Sequence, residues 1–390
     1  MNRPELAIVS DQPSETKSAL PASAFLSRRR VVASLGLAGT LGTLASLSAR
    51  ALPSASFDVE AFDRLARETM CVTPVSANQA DAGALPPERL PQRRALKLAW
   101  NASSICLSGP LVGVEQRIFE KYNLDVELIN FGGSTDQLLE AIATAKADAG
   151  VGMALRWLKP LEQGFDVKIT AGTHGGCMRL LAPTASAIRQ LGDLKGKTIA
   201  VADMTAPTKN LFAIQFHKLG IDAERDVEWR QFPGELLRAA VEKGEAHALA
   251  DADPKTFAWL KDGKFTEISS NLHGEFAERT CCILGIRGSL IRQERAVARA
   301  LTAATIEAQD YLVHHPEISA RIFSRFAPPN SPIEDLTALV RYHTHGNHPI
   351  GDDLKAQLRL YADELKAVAV FKPNTDSARF ADRVYADVLS

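Results

Sequence analysis

A short apolar strand followed by a hydroxyl-rich turn forms the clearest anion-binding pattern in the chain. Thr198–Ala202 is a buried-strand type of run, and the turn Asp203–Pro207 leads into a helix that contains Thr208. Backbone amides at a helix start, together with the hydroxyls of Thr205 and Thr208, suit an anionic oxygen cluster such as a sulfonate or carboxylate. Thr208 is equally well interpreted as a plain helix cap, and the sequence leaves both interpretations open.

The same pattern occurs earlier in the chain. Ser134 and Thr135 follow a strand that ends at Phe131, and they open a helix at Asp136. Hydroxyls and free amides are therefore expected at a second helix start, with helix capping as the same alternative.

Charged and aromatic residues near these turns could complete a binding site. Arg156 could neutralise an anion, although we favour a solvated side chain on a helix surface. Asp251 could bind a ligand amine or pair with Arg156 across a closed cleft. Subsites for an anion and a cation together would suit a zwitterion such as taurine. Trp100 and Trp157 are expected to be core residues rather than ligand-stacking ones.

The histidines and cysteines do not form a recognisable metal motif. His174 and Cys177, and the histidines of 342–349, supply no tetrahedral set at the usual spacing, so no metal and no cofactor is expected. We expect His174 to line a binding site or to satisfy loop carbonyls. Vicinal Cys281 and Cys282 lie in an apolar run that is typical of buried packing.

Catalysis and nucleic-acid binding find little support. The chain has no GxSxG, HExxH or GxxxxGK motif, so we expect no enzyme. The formal net charge of −1 gives no indication of a nucleic-acid partner, and none is expected.

A repeated unit must position these residues. DVELINFGG (125–133) matches DVEWRQFPG 101 residues later, and ADAG (147–150) matches EAHA 98 residues later. Each unit has the order strand, helix, strand, helix, strand, which predicts two similar α/β lobes with parallel sheets. The predicted strands are Leu96–Trp100, Val126–Phe131, Ala149–Met153 and Val167–Ala171 in the first unit, and Thr198–Ala202, Val227–Phe232 and Ala246–Ala250 in the second.

Ligands bind beyond the carboxyl ends of parallel strands, so loops from both lobes should face one cleft. The loops are Asn101–Ser104, Gly132–Thr135, Met153–Arg156, Asp203–Thr208, Pro233–Glu235 and Asp251–Pro254. The expected ligand-binding residues are Asn101, Ser104, Ser134, Thr135, Met153, Arg156, His174, Thr205, Thr208 and Asp251. Thr173–Cys177 and Thr280–Ile286 are the expected crossovers between lobes, with Gly175 and Gly176 providing backbone freedom.

From Leu96 to Val388 the chain resembles the periplasmic substrate-binding proteins of ABC importers, in the nitrate, sulfonate, taurine and pyrimidine-precursor group. The resemblance is carried by the order of IFEKYNLDVELINFGG (118–133), LLEAIATAKADAGVG (138–152), LKGKTIAVADMTAP (194–207) and LLRAAVEKGEAHALADADP (236–254). It implies two Rossmann-like lobes joined by a two-strand hinge, with a helical C-terminal part.

The resemblance also implies a function. A monomer would capture a small anionic or zwitterionic solute, such as a sulfonate or nitrate, and dock on an ABC permease in the inner membrane. The alternative from another class is an exported metal-dependent enzyme, or a sensor, on the same fold.

The N-terminus is typical of a twin-arginine export signal. Ser27–Val32 (SRRRVV) precedes a mildly apolar stretch to Leu47, and Ala49–Ala51 offers a cleavage site. We predict a signal peptide over 1–51, an extension or linker over 52–94, a first lobe from 95–176 and 283–390, a second lobe from 177–282, and a periplasmic location.

Overall fold

A computed structural model describes residues 86–131, 135–343 and 348–390, without the side chains of Thr135 and Asp136. These residues all fall within the unit Pro53–Ser390. The predicted signal peptide, most of the predicted linker, and Ser134 lie outside the described residues.

Strands in these ranges form two five-stranded sheets with the same arrangement. The strands are β1 Arg94–Trp100, β2 Leu124–Asn130, β3 Ala149–Met153, β4 Val167–His174, β5 Met178–Pro183, β6 Thr198–Val201, β7 Glu228–Gln231, β8 Ala248–Ala252, β9 Phe265–Ser270 and β10 Cys282–Arg287. The first sheet has the order β2-β1-β3-β10-β4, and the second has the order β7-β6-β8-β5-β9. The expected two-sheet α/β architecture is confirmed.

Helices follow most strands and then make up the C-terminal part. They are α1 Gly109–Glu115, α2 Ile118–Lys121, α3 Thr135–Ala143, α4 Ala154–Glu162, α5 Pro207–Lys218, α6 Leu237–Glu242, α7 Lys255–Lys261, α8 Gly288–Gln293, α9 Arg295–His314, α10 Pro316–Phe323, α11 Ile333–Tyr342, α12 Gly351–Ala367 and α13 Ser377–Val384. No helix within the described ranges combines the length and the apolar character needed to cross a bilayer.

The strand register shows the internal repeat directly. In the first sheet Leu98 lies opposite Leu128 on one side and Ala149 on the other. In the second sheet Ile199 lies opposite Trp229 and Ala248. The offset of 101 residues therefore holds for the first two strands, whereas the third strand is offset by 99 residues rather than the 98 inferred from ADAG and EAHA.

The sheets are mixed rather than fully parallel, which corrects the sequence-based expectation. β10 runs antiparallel between β3 and β4, and β5 runs antiparallel between β8 and β9. Each crossover segment thus delivers one reversed strand into the sheet it enters. β5 and β9 were not predicted as strands: β5 contains Arg179 and ends at Pro183, and β9 (FTEISS) is largely polar.

The helical segment between β1 and β2 is divided into α1 and α2. Arg117 has a φ of 58°, a left-handed conformation that ends the α-helical path. The turn brings Phe119 back onto α1, where a Cβ on Gly113 would lie 2.6 Å from the ring of Phe119. Packing of Phe119 in the core explains the break, since its side chain is almost fully buried.

Two short segments connect the sheets, and they lie against each other. The first joins β4 to β5 through 175–177, and the second joins β9 to β10 through 271–281. Asn271 Oδ1 accepts hydrogen bonds from the amides of Cys177 (2.9 Å) and Met178 (2.8 Å). The amide of Cys281 donates to the carbonyl of His174 at 2.8 Å. The two crossovers are therefore cross-linked by backbone and side-chain hydrogen bonds.

Gly176 serves the crossover by its small size. It is not among the glycines with positive φ, so this conformation does not use the wider torsional range of glycine. A Cβ at this position would lie 2.1 Å from the carbonyl oxygen of Asn271. The residue must be glycine because the two crossovers approach so closely.

The tryptophans pack as expected. Trp100 is buried edge-on against Phe326 at a centroid distance of 5.3 Å, and Trp157 has no exposed surface. A Cβ on Gly152 would lie 2.3 Å from Nε1 of Trp157, and one on Gly285 would lie 2.4 Å from its ring. These two glycines, on the adjacent strands β3 and β10, form the slot that holds the indole.

Candidate functional site

An ion pair connects the two sheets at the carboxyl ends of their strands. Arg156, in the first turn of α4 after β3, lies 2.5 Å from Asp203, which directly follows β6. The Arg156 side chain is only 7% exposed. A second link forms where Asn210 of α5 donates to the carbonyl of Leu155 at 3.0 Å. The carboxyl ends of β3 and β6 therefore meet through a buried cation.

Arg156 and Asp251 differ from the expectations. Arg156 is not a solvated side chain, because the end of β3 points its helix at the second sheet. Asp251 does not pair with Arg156. Instead, Asp251, on β8, forms an ion pair with Lys255, the first residue of α7. Burial raises the pKa of Asp251, although Lys255 opposes this shift.

The Thr205–Thr208 turn is organised by Asp203. Thr205 is exposed, and both its amide and its hydroxyl donate to Asp203 Oδ1 at 2.8 Å. Thr208 is buried as the second residue of α5, and Ala206 occupies the N-cap position without a side-chain cap. The capping interpretation of Thr208 is therefore wrong, because the helix begins earlier, at Pro207.

The remaining expected residues of the first lobe lie at the same edge. Asn101 follows β1, and its Oδ1 accepts from the amide and hydroxyl of Ser103. Ser104 is buried and precedes a short 3-10 helix, Ile105–Leu107. Met153 is the last residue of β3. Thr135 begins α3, while Ser134 lies outside the described ranges.

His174 is fully buried at the end of β4. Its Nδ1 donates to the carbonyl of Gly175 at 2.6 Å, so it satisfies a loop carbonyl, one of the two expected roles. Its ring contacts that of His343 edge-on, at a centroid distance of 5.3 Å. Burial, and then the neighbouring His343, holds the pKa of His174 well below its usual 6.5, so the imidazole is neutral near pH 7.

Four buried cysteines surround this histidine at the crossovers. One ligand atom each from Cys106, His174 and Cys282 lie within 4.8 Å of one another. The sulfurs of Cys106 and Cys177 are 3.2 Å apart. Burial alone would raise the pKa of Cys106, but hydrogen bonds with Cys177 and Cys282 lower it to about 6. As expected, Cys281 and Cys282 are both buried.

The cluster of thiols was not foreseen, because spacing along the chain does not reveal it. Cys106 follows β1. Cys282 begins β10, which comes in the sequence only after the five strands of the second sheet. Antiparallel pairing of β10 with β4 brings Cys282 opposite His174. These residues could hold a soft metal ion, which spacing in the sequence had argued against.

A buried charge network adjoins the crossovers. Arg179, on β5, bonds Asp253 at 3.1 Å and also pairs with Glu267. His343 donates from Nε2 to Asp253 Oδ2 at 2.9 Å. Burial opposes ionisation of Asp253, but Arg179 and His343 outweigh it and hold the pKa of Asp253 well below its usual value. The predicted loop Asp251–Pro254 places Asp253 near this edge, but nothing in the sequence indicates that Arg179 is its partner.

Comparisons with known proteins agree with this architecture. Residues 89–325 match the model of the NMT1-like family. The structure matches the alkanesulfonate-binding protein SsuA from Xanthomonas axonopodis pv. citri, with 19% identity over 76% of this chain and 99% of that chain and a TM-score of 0.64. It also matches the periplasmic aliphatic sulphonate binding protein SsuA from Escherichia coli, with 18% identity over 75% and 92% of the two chains and a TM-score of 0.63.

A third match is the periplasmic nitrate-binding protein NrtA from Synechocystis PCC 6803, with 14% identity, coverage of 76% and 87%, and a TM-score of 0.60. Among curated proteins, no sequence is significantly similar to this chain. At such identities the structural matches establish the fold, and they confirm the predicted resemblance at that level. The chain therefore belongs to the NMT1-like family and has the two-lobe fold of periplasmic binding proteins.

Proposed function

We propose that this chain is an exported solute-binding protein of an ABC importer. It captures a small anionic or zwitterionic solute between its lobes and delivers it to a permease in the inner membrane. The twin-arginine signal, the periplasmic location, the monomeric state and the lobe boundaries at 176/177 and 282/283 are parts of the same proposal. The chain acts by binding rather than by catalysis.

The ion pair between the buried Arg156 and the half-buried Asp203 is the observation that carries the proposal. It places a guanidinium at the carboxyl ends of the strands, which is where open α/β sheets bind ligands. Guanidinium groups hold carboxylate-like oxygens in a bidentate manner, so Arg156 suits a sulfonate, carboxylate or nitrate. The matched proteins are named for alkanesulfonates, aliphatic sulphonates and nitrate, which share this chemistry.

Asp203 determines which kind of solute fits. For a simple anion, Asp203 competes for the Arg156 guanidinium and would have to give way. For a zwitterion such as taurine, Asp203 would instead receive the ammonium group. Thr205, whose amide and hydroxyl already bond Asp203, would then keep that carboxylate in place.

Thermal denaturation of the purified mature protein tests this function. We would screen taurine, longer alkanesulfonates, nitrate and small carboxylates. A true ligand at 100 times its Kd stabilises the folded protein by about 2.7 kcal/mol. If none of these solutes shifts the melting temperature, the proposal fails.

Two variants then connect binding to the ion pair. Arg156→Gln should abolish the ligand-induced shift, whereas Arg225→Gln, which removes a guanidinium that is 82% exposed, should leave it unchanged. Asp203→Asn should tighten the binding of a simple anion and weaken the binding of a zwitterion. Normal ligand binding by Arg156→Gln would show that the solute binds elsewhere.

A further inference from the structure

The thiols and imidazole at the crossovers have the composition of a metal site. Cys106, Cys177, His174 and Cys282 are each at most 1% exposed. Ligand atoms of Cys106, His174 and Cys282 lie within 4.8 Å of one another, and the sulfur of Cys177 is 3.2 Å from that of Cys106. Three sulfurs and one imidazole nitrogen are a standard donor set for tetrahedral zinc.

We propose that these four residues bind one thiophilic metal ion of the Zn²⁺ class. A Zn–S bond of about 2.3 Å separates the donors of a tetrahedral site by about 3.8 Å. The sulfurs of Cys106 and Cys177 are closer than this, at 3.2 Å, and the donor atoms of Cys106, His174 and Cys282 are no more than 4.8 Å apart, so side-chain adjustments would complete the coordination. These four residues do not include Arg156 or Asp203, on which the proposed solute site depends.

The orientation of His174 suits coordination through Nε2. Its Nδ1 donates to the carbonyl of Gly175 at 2.6 Å, which fixes the tautomer with the lone pair on Nε2. Metal-ligating histidines commonly donate their second ring nitrogen to a backbone carbonyl or carboxylate, which holds the ring in place. The antiparallel pairing of β10 with β4 places Cys282 directly opposite His174.

The donor types also determine which ions fit. Thiolates and imidazole select zinc, copper(I) or cobalt(II), whereas magnesium and calcium require oxygen ligands. Coordination releases one proton from each thiol that becomes a thiolate, and no electrons are transferred. The alternative fate of the closest pair is a disulfide between Cys106 and Cys177, which would require the sulfurs to approach to about 2.05 Å.

Cobalt(II) is the probe, because its thiolate complexes absorb visible light. The mature protein would be purified under reducing conditions, stripped with a chelator and titrated with Co²⁺, then with Zn²⁺. We expect one Co²⁺ per chain, with thiolate-to-cobalt charge-transfer and tetrahedral d–d bands that Zn²⁺ abolishes. Proton release during the titration should accompany binding.

Four variants locate the site. Cys106→Ala and Cys282→Ala should weaken Co²⁺ binding by about 100-fold or more, since even the loss of an outer partner costs about 10–100-fold. Cys177→Ala should change the d–d spectrum away from three-sulfur coordination. Cys281→Ala removes the buried neighbour outside the donor set and should retain the wild-type spectrum. Near-ultraviolet circular dichroism of each variant would verify folding independently of metal.

Several results would overturn the proposal. The reduced, folded protein would show no cobalt bands, or the bands would survive in both Cys106→Ala and Cys282→Ala. A Cys106–Cys177 disulfide after aerobic purification, with no metal uptake once it is reduced, would assign the cluster to covalent cross-linking instead.

Discussion

Gly176 lies so close to Asn271 that a Cβ on Gly176 would be 2.1 Å from the Asn271 carbonyl oxygen. The obstacle is backbone, which cannot rotate aside as a flexible side chain can. The same asparagine accepts hydrogen bonds from the amides of Cys177 and Met178. Contact between the two crossovers therefore depends on the absence of one methyl group.

Replacing Gly176 by a larger residue should disturb the contact between the two crossovers. We expect Gly176→Ala to lower the free energy of unfolding by about 1–3 kcal/mol, because the crossovers must separate to admit the methyl group. Urea denaturation would measure the change. Gly192→Ala is the control, since a Cβ there meets nothing within 4 Å, and it should change stability by less than about 0.5 kcal/mol. Equal stability of the two variants would contradict the close approach.

The Trp157 slot gives a spectroscopic prediction. Gly285→Ala should displace the indole, because the new methyl group would lie 2.4 Å from its ring, and it should destabilise the protein by about 1–3 kcal/mol. The Trp157 emission, isolated as the difference from a Trp157→Phe variant, should shift to longer wavelength as water reaches the ring. An unchanged emission maximum would show that the strand accommodates the methyl group elsewhere.

Asp253 should dominate the acid sensitivity of the second lobe. Its pKa is lower in the folded than in the unfolded protein, so its stabilising contribution is complete above about pH 4 and is lost as the pH falls below that value. Asp253→Asn should flatten this decline. At pH 7 it should cost about 3 kcal/mol, because it removes one of the two carboxylates that pair with the buried Arg179 guanidinium and leaves Glu267 as the other.

Urea denaturation at pH 7 and at pH 3 would measure both effects. The control is Asp382→Asn, which neutralises an exposed carboxylate paired with Lys355 and should have a small effect at either pH. An Asp253→Asn variant as stable as the wild type at pH 7 would rule out a stabilising role for this carboxylate.

The Arg156–Asp203 pair should contribute modestly to stability. Arg156 is buried, but Asp203 is 34% exposed, so solvent screens the pair. A double-mutant cycle with Arg156→Gln and Asp203→Asn should give a coupling free energy of about 1 kcal/mol. The cycle would use thermal unfolding without added solute. A coupling free energy near zero would mean that the ion pair does not stabilise contact between the sheets.

The sequence predicted the strands of the repeated unit. It did not predict the elements and contacts that depend on residues far apart along the chain. The strand Ala149–Met153 was predicted with its observed bounds, because five small or apolar residues between helices have few alternatives. The register of Ile199 with Trp229 follows the repeat inferred from DVEWRQFPG. In contrast, β5 and β9 lie outside the repeated order of strand, helix, strand, helix, strand, and Arg179 in β5 and the polar residues of β9 hide the strand pattern.

The sequence predicted the position of Arg156 in the fold but not its ion-pair partner. The loop containing Arg156 was placed at the correct edge of the sheet, because carboxyl ends of parallel strands share one edge. Its partner is Asp203 rather than Asp251, since that choice depends on how the second lobe is turned toward the first. The sequence does not indicate a role for Cys106 for a similar reason, because only folding brings it near His174.

The two crossovers also bear on how the two sheets could move relative to each other. Among the described strands they are the two covalent links between the sheets, so we expect any rotation of one sheet relative to the other to be centred on them. In a rotation, atoms near the axis move little, whereas atoms far from the axis move most. His174 and Cys177 lie at the crossovers, so their geometry would change little in such a rotation. The distance between Arg156 and Asp203 would change with it.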